Sequence, residues 1–155
     1  MQITKDAVLS AQKAWGAAIV ELGAMKEQPR AELEARLEAL LNQLYAYDTG
    51  PVLFKPTKAA EVPFRKHKVE AASYFIGGNE LLPEDQGFAM MPWTAVRFEN
   101  HAMIIEENRA IAMGHYYFKD ISETETKVEY TFGYRADQNG HLKIDLHHSS
   151  LPFSG

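Results

Sequence analysis

From residue 127 to 135, apolar and polar side chains alternate. Val128, Tyr130, Phe132 and Tyr134 share one side, against Lys127, Glu129, Thr131 and Arg135 on the other. Successive strand residues point to opposite faces, so this stretch commits to a strand with one buried and one solvated side. Further strand-like segments fill the second half of the chain, at residues 93–99, 102–106, 109–119 and 141–150, with 124–135 between them. Glu107-Asn108 and Asp137-Gln138-Asn139-Gly140 supply turns that join neighbours into an antiparallel meander. The apolar side of such a sheet needs a cover.

The first half supplies the cover. Ile3, Ala7, Val8, Ala11, Ala14, Trp15, Ala18, Ile19 and Leu22 recur every three to four residues, the spacing of one helix face. Thr4 suits the N-cap, and Asp6 is well placed against the helix dipole. Pro29 fits the first turn of a second helix, whose stripe is Leu33, Leu37, Leu40, Leu41, Leu44 and Tyr45. Residues 52–54 read as a short strand. Val69, Ala72, Ser73 and Ile76 read as a short helix that Gly77-Gly78 ends in a left-handed cap, and 79–92 as a loop. Helices first and a meander last predict a single α+β domain over 1–155, with the helices packed on one face of a curved antiparallel sheet.

Residue usage narrows the function. With 16 Lys and Arg against 21 Asp and Glu, net charge is −5 and no basic run occurs, which argues against nucleic acid or an anionic membrane as partner. No apolar run approaches the ~18 residues of a membrane helix, and residues 1–6 do not lead into a signal-peptide core. Cysteine is absent, which removes disulfides, thiolate nucleophiles and Cys-based zinc sites and fits a cytoplasmic location. Residues 110–118 are apolar on both sides, so the sheet is expected to bury its second face in a homodimer.

The last strand ends in His147-His148-Ser149-Ser150-Leu151-Pro152, where Pro152 has no N–H to donate. Each strand face receives one imidazole and one hydroxyl. Leu142, Ile144 and Leu146 share parity with His148 and Ser150, whereas His147 and Ser149 join Lys143 and Asp145. If the apolar series lines the pocket, Ser150 faces it; a bulge at His147-His148 would turn Ser149 inward instead, as would Leu142 and its partners packing elsewhere so that the polar series lines the pocket. A zinc site would have to combine His147 or His148 with His115 or His101, because no His-Glu-x-x-His or His-x-His pair is present.

The terminal run resembles the His-His-Ser-Ser-Met-Pro signature of the iota-class carbonic anhydrases, with Leu151 in place of Met. The likeness extends to Leu53-Phe54-Lys55-Pro56-Thr57, Ser73-Tyr74-Phe75-Ile76-Gly77-Gly78, Val96-Arg97-Phe98-Glu99-Asn100 and Thr131-Phe132-Gly133-Tyr134. The resemblance implies a nuclear-transport-factor-like cone, related to the association domain of calmodulin-dependent kinase. It implies interconversion of carbon dioxide and bicarbonate with no metal or other cofactor. Matched motif by motif, Thr57, Tyr74 and Ser149 would be the catalytic groups holding water and bicarbonate. His147 and Ser150 would be substrate-binding neighbours, with His147 available for proton relay. The same cone also serves non-catalytic association modules and SnoaL-like isomerases or hydrolases. The latter reading requires a carboxylate in the pocket, and Asp145 is the one close to the terminal motif.

Overall fold

In the computed structural model, which describes residues 2–155, two helices and a short third one cover one face of a five-stranded sheet. The helices are α1 (Lys5–Ala24), α2 (Arg30–Leu44) and α3 (Lys68–Ile76), and a single 3-10 turn spans Phe88–Met90. The strands are β1 (Leu53–Lys55), β2 (Trp93–Ile105), β3 (Arg109–Asp120), β4 (Glu125–Ala136) and β5 (Leu142–Ser150). Thr4 caps α1 as expected, its Oγ1 accepting from the Ala7 N–H at 3.1 Å. Pro29 occupies the N-cap of α2, one position before the first turn. Among the described residues no helix is long and apolar enough to cross a membrane.

The sheet order is β1-β5-β4-β3-β2. The antiparallel expectation holds for β2 through β5, but β1 pairs with β5 in parallel. No hairpin ties these two strands, so their direction is set by where the chain re-enters the sheet. Residues 93–99 and 102–106 are one strand, with a register shift between Asn100 and Ala102. Asn100 faces inward like Val96 and Phe98 before it, its Nδ2 donating to Gln12 Oε1 at 2.8 Å, and the extra residue His101 resets the count so that Met103 and Ile105 also face inward. A second bulge matters more. Gly133 pairs with Leu146 and Tyr134 with Ile144, leaving Asp145 as the extra residue on β5. Side-chain parity therefore flips at Asp145, and Ile144, His147 and Ser149 all face the core.

The core is aromatic. Trp15 of α1 is 2% exposed and lies over the sheet, stacked on Tyr116 at 5.2 Å between ring centres and edge-on to Phe132 at 5.6 Å. Burying each Phe-sized side chain contributes roughly 1.5–3 kcal/mol. Arg65, fully buried, holds α3 in place. Its Nη1 and Nη2 each donate to Asp85 at 2.8 Å, and Asp85 also accepts from Ser73 Oγ at 2.5 Å. Removing one partner from a buried ion pair like this costs about 3–5 kcal/mol. The α3 terminus departs from a left-handed cap: Gly77 has φ 68° but ψ −167°. A Cβ there would lie 3.0 Å from the Gln86 carbonyl carbon, so glycine admits the close approach of the 84–91 loop.

Candidate active site

Three elements converge at the end of β5. β1 runs parallel to β5, with Phe54 opposite His147 and Lys55 opposite His148, which brings Thr57, two residues past the end of β1, over Ser149. The Thr57 and Ser149 hydroxyls are 2.5 Å apart. Tyr116 of β3 donates to the same Ser149 oxygen at 2.5 Å. Tyr74, on the inner face of α3, accepts at 3.2 Å from the N–H of Lys58, next to Thr57 in the chain. Lys55 Nζ donates to the Ser149 carbonyl at 2.9 Å and fixes the strand end. Ser149 and Tyr74 are buried while Thr57 is half-exposed, so the cluster opens outward through Thr57.

Electrostatics fix the protonation of these groups. Burial pushes the Tyr74 and Tyr116 phenols well above their ordinary range, so both remain O–H donors. Burial likewise holds His147 well below its ordinary value, so the imidazole is neutral. Its Nδ1 lies 2.8 Å from the Tyr45 hydroxyl and its Nε2 3.0 Å from that of Tyr116. Phe54 stacks on the ring at 4.6 Å. Both nitrogens are thus taken by protein hydroxyls, and His147 stands behind the cluster instead of facing a substrate. That corrects the expectation of a substrate-binding imidazole.

Ser150 also departs from expectation. The bulge lies at Asp145, two residues before the His147-His148 position at which the sequence allowed one, and it sends Ser150 to the outer face with His148. There they line a separate cavity of about 590 Å³ with Glu99, His101, His115 and Glu129. Among the described residues no three His, Asp or Glu side chains converge as a metal-ligand set. Asp145 pairs with Arg109 at 2.6 Å and takes no part in the cluster.

Beside the cluster lies a cavity of about 480 Å³, walled by Tyr74, Phe88, Met90 and Trp93 with Lys58 and Gln86 at its edge. Phe88 stacks on Tyr74 at 5.6 Å. Sequence reasoning missed Tyr116, Tyr45, Trp15 and Lys55. The available signal was the number of phenols at inward strand positions, Tyr116, Tyr130 and Tyr134, which exceeds what an apolar core needs.

The chain is similar to known proteins along nearly its whole length. A family model described as metal-independent carbonic anhydrase matches residues 6–151. A metal-independent carbonic anhydrase from Nostoc sp. (strain PCC 7120) is 40% identical over 153 residues, covering 97% of this chain and 75% of that protein. The crystal structure of a cyanobacterial iota-carbonic anhydrase complexed with bicarbonate superposes with a TM-score of 0.95 at 38% identity, covering 99% of this chain and 95% of that one. Two more distant structures bear on the fold alone. A protein assigned as a calcium/calmodulin dependent protein kinase II association domain, from Xanthomonas campestris, matches with a TM-score of 0.59 at 20% identity over 95% of this chain and 87% of that one. A protein assigned as a dehydratase of the NTF2-like family, from Streptomyces avermitilis, also scores 0.59, at 14% identity over 96% of each chain. The fold is the nuclear-transport-factor-like cone, and the chain belongs to the metal-independent carbonic anhydrase family.

Proposed function

We infer that the chain interconverts carbon dioxide and bicarbonate at the hydroxyl cluster of Thr57, Tyr74 and Ser149, with no metal ion. The observation that carries this reading is the run of short hydroxyl contacts, Thr57 to Ser149 and Ser149 to Tyr116, each 2.5 Å. In the hydration direction a water oxygen bonds to the carbon of carbon dioxide. Negative charge then builds on the two substrate oxygens, and one water proton departs to solvent. Pre-placed O–H donors stabilise that charge without reorganising. Tyr74, which walls the aromatic cavity, and Thr57, whose hydroxyl is fixed against Ser149, suit this task. Ser149 holds Thr57 from below. None of the phenols serves as a base, since burial keeps them protonated. The test is carbon dioxide hydration by exhaustively chelated protein, together with a bicarbonate titration. Inactive chelated protein with no bicarbonate response at Thr57 would end the reading.

The working unit is a homodimer formed through the outer sheet face. Ile104 is 64% exposed and Met113 52% exposed on adjacent strands, an apolar row that a second copy would cover. Light scattering at micromolar concentration should give twice the chain mass. A strict monomer contradicts the dimer and leaves the enzyme reading standing.

A further inference from the structure

Behind the cluster runs an unbroken line of hydrogen bonds that the reaction does not itself require. Trp15 Nε1 donates to the Tyr45 hydroxyl at 3.0 Å. Tyr45 meets His147 Nδ1 at 2.8 Å, His147 Nε2 meets Tyr116 at 3.0 Å, Tyr116 donates to Ser149 at 2.5 Å, and Ser149 meets Thr57 at 2.5 Å. The line crosses from α1, through the C-terminal end of α2, into the sheet and out to the loop after β1. Trp15, Tyr45, Tyr116, His147 and Ser149 are each at most 2% exposed.

Every link but the first can in principle be made in either sense, because hydroxyls and a neutral imidazole both donate and accept. The first cannot, because an indole N–H only donates. Tyr45 therefore accepts from Trp15 and must place its own hydrogen elsewhere. The partner within reach is His147 Nδ1, and leaving the hydrogen unpaired in the core would cost about 1–3 kcal/mol. Nδ1 is then the bare nitrogen and Nε2 carries the proton, which it gives to Tyr116. Tyr116 gives its hydrogen to Ser149, and buried Ser149 gives its own to Thr57. Thr57, already an acceptor from within, has its hydrogen free to point toward Tyr74 or outward.

We propose that Trp15 and Tyr45 are positioning residues for carbon dioxide hydration. Through the Nε2–H tautomer of His147 they fix the direction of the hydroxyl line, so that its open end presents donors to an anion. The opposite sense would turn Thr57 inward as a donor to Ser149 and offer only oxygen lone pairs to bicarbonate. The proposal rests on the assignment of Thr57 and Ser149 to the bicarbonate site. Hydrogen bonds aligned in one sense also polarise one another, which strengthens the terminal donor.

The test begins with unmodified protein uniformly labelled with ¹⁵N. The protonated nitrogen of His147 should be the one coupled to the Cδ2 proton, and bicarbonate should shift the Thr57 and Ser149 signals. Trp15→Phe removes the fixed donor while keeping an aromatic ring. Tyr45 can then reverse, His147 should show a mixture of tautomers, and kcat/KM should fall about tenfold, less than the 10²–10³ of deleting a transition-state donor outright. A Nδ1–H tautomer in the unmodified protein overturns the proposal even if Trp15→Phe fails to fold, and leaves the site assignment intact. A folded Trp15→Phe protein with unchanged tautomer and unchanged kinetics overturns it as well. Bicarbonate that shifts neither Thr57 nor Ser149, while the tautomer is as proposed, removes the site assignment itself and with it the role of the line.

Discussion

His147 and His148 are adjacent in the chain and opposite in circumstance. His147 is 2% exposed, wedged between Phe54, Tyr45 and Tyr116, with both nitrogens engaged. His148 is exposed on the outer face, beside Ser150 and across from Thr131. The same division separates Ser149 from Ser150. The outer face has imidazoles and carboxylates in plenty, among them His115 with its Nδ1 3.6 Å from Glu99 Oε1. Exposed pairs of that kind contribute at most about 1 kcal/mol, because water screens them and their side chains stay mobile. On the inner face the buried hydroxyls of Tyr45, Tyr116 and Ser149 each have two fixed protein neighbours, and the half-exposed Thr57 is where the cluster opens to solvent. Residue type is thus a poor guide to chemistry on this strand, and register decides.

The sharpest way to break that contrast is to remove the same hydroxyl on each side. Ser149→Ala should lower carbon dioxide hydration by about 10²–10³, the loss expected when the support of a transition-state donor goes. Tyr74→Phe and Thr57→Val, which keep volume and delete only the O–H, should cost a similar factor. Ser150→Ala should stay within about twofold of the unmodified protein, because it lies on the far face of β5. Stopped-flow assays on folded variants decide the matter. Equal losses at positions 149 and 150 would mean that the bulge does not separate the two faces as described.

A smaller effect should appear in stability against pH. Burial depresses the pKa of folded His147 below the unfolded value of about 6.5. The unfolded chain therefore takes up a proton as pH falls through that value, while the folded protein does not. Stability from this site is complete above about pH 6.5 and is lost below it at about 1.4 kcal/mol per pH unit, or about 2 kcal/mol by pH 5. His147→Gln removes the titrating group. The drop in urea midpoint between pH 8 and pH 5 should be smaller in that variant than in the unmodified protein. An identical drop in both would show that His147 is not held neutral by burial.

Much of the fold was legible because it depends on short-range patterns. Thr4 and Asp6 mark the start of α1, the leucine stripe marks α2, and the alternation from Val128 to Tyr134 fixes the inner face of β4. The orientation of the terminal motif was not legible. Counting parity from Leu142 gives the wrong face to His147 and Ser149, and only the pairing of Tyr134 with Ile144 and Gly133 with Leu146 shows where the count resets. A bulge depends on two strands, so one strand's sequence does not declare it. The line behind the site was hidden for a related reason. Trp15 reads as a core residue by helical spacing and Tyr45 as the end of a leucine stripe, and both descriptions are true. Their polar atoms acquire meaning only when α1, α2 and β5 meet.

The smallest expected effect tests whether the outer face has any part in the chemistry. His101, His115 and His148 sit on β2, β3 and β5, close to Glu99 and Glu129, and they are the groups from which a zinc site would have to be built. Zinc catalysis needs three protein ligands about 2 Å from one point, leaving a fourth position for water. Among the described residues no such convergence exists, and these side chains lie across the sheet from the cavity that Tyr74 and Phe88 line. Prolonged chelation should therefore leave the hydration rate unchanged, and His115→Ala with His148→Ala should change it by less than about twofold, as for surface substitutions away from a site. Activity that disappears on chelation and returns with zinc, in protein whose Ser149→Ala variant works normally, would move the reaction to the outer face. The inner hydroxyls would then be a means of ordering the core.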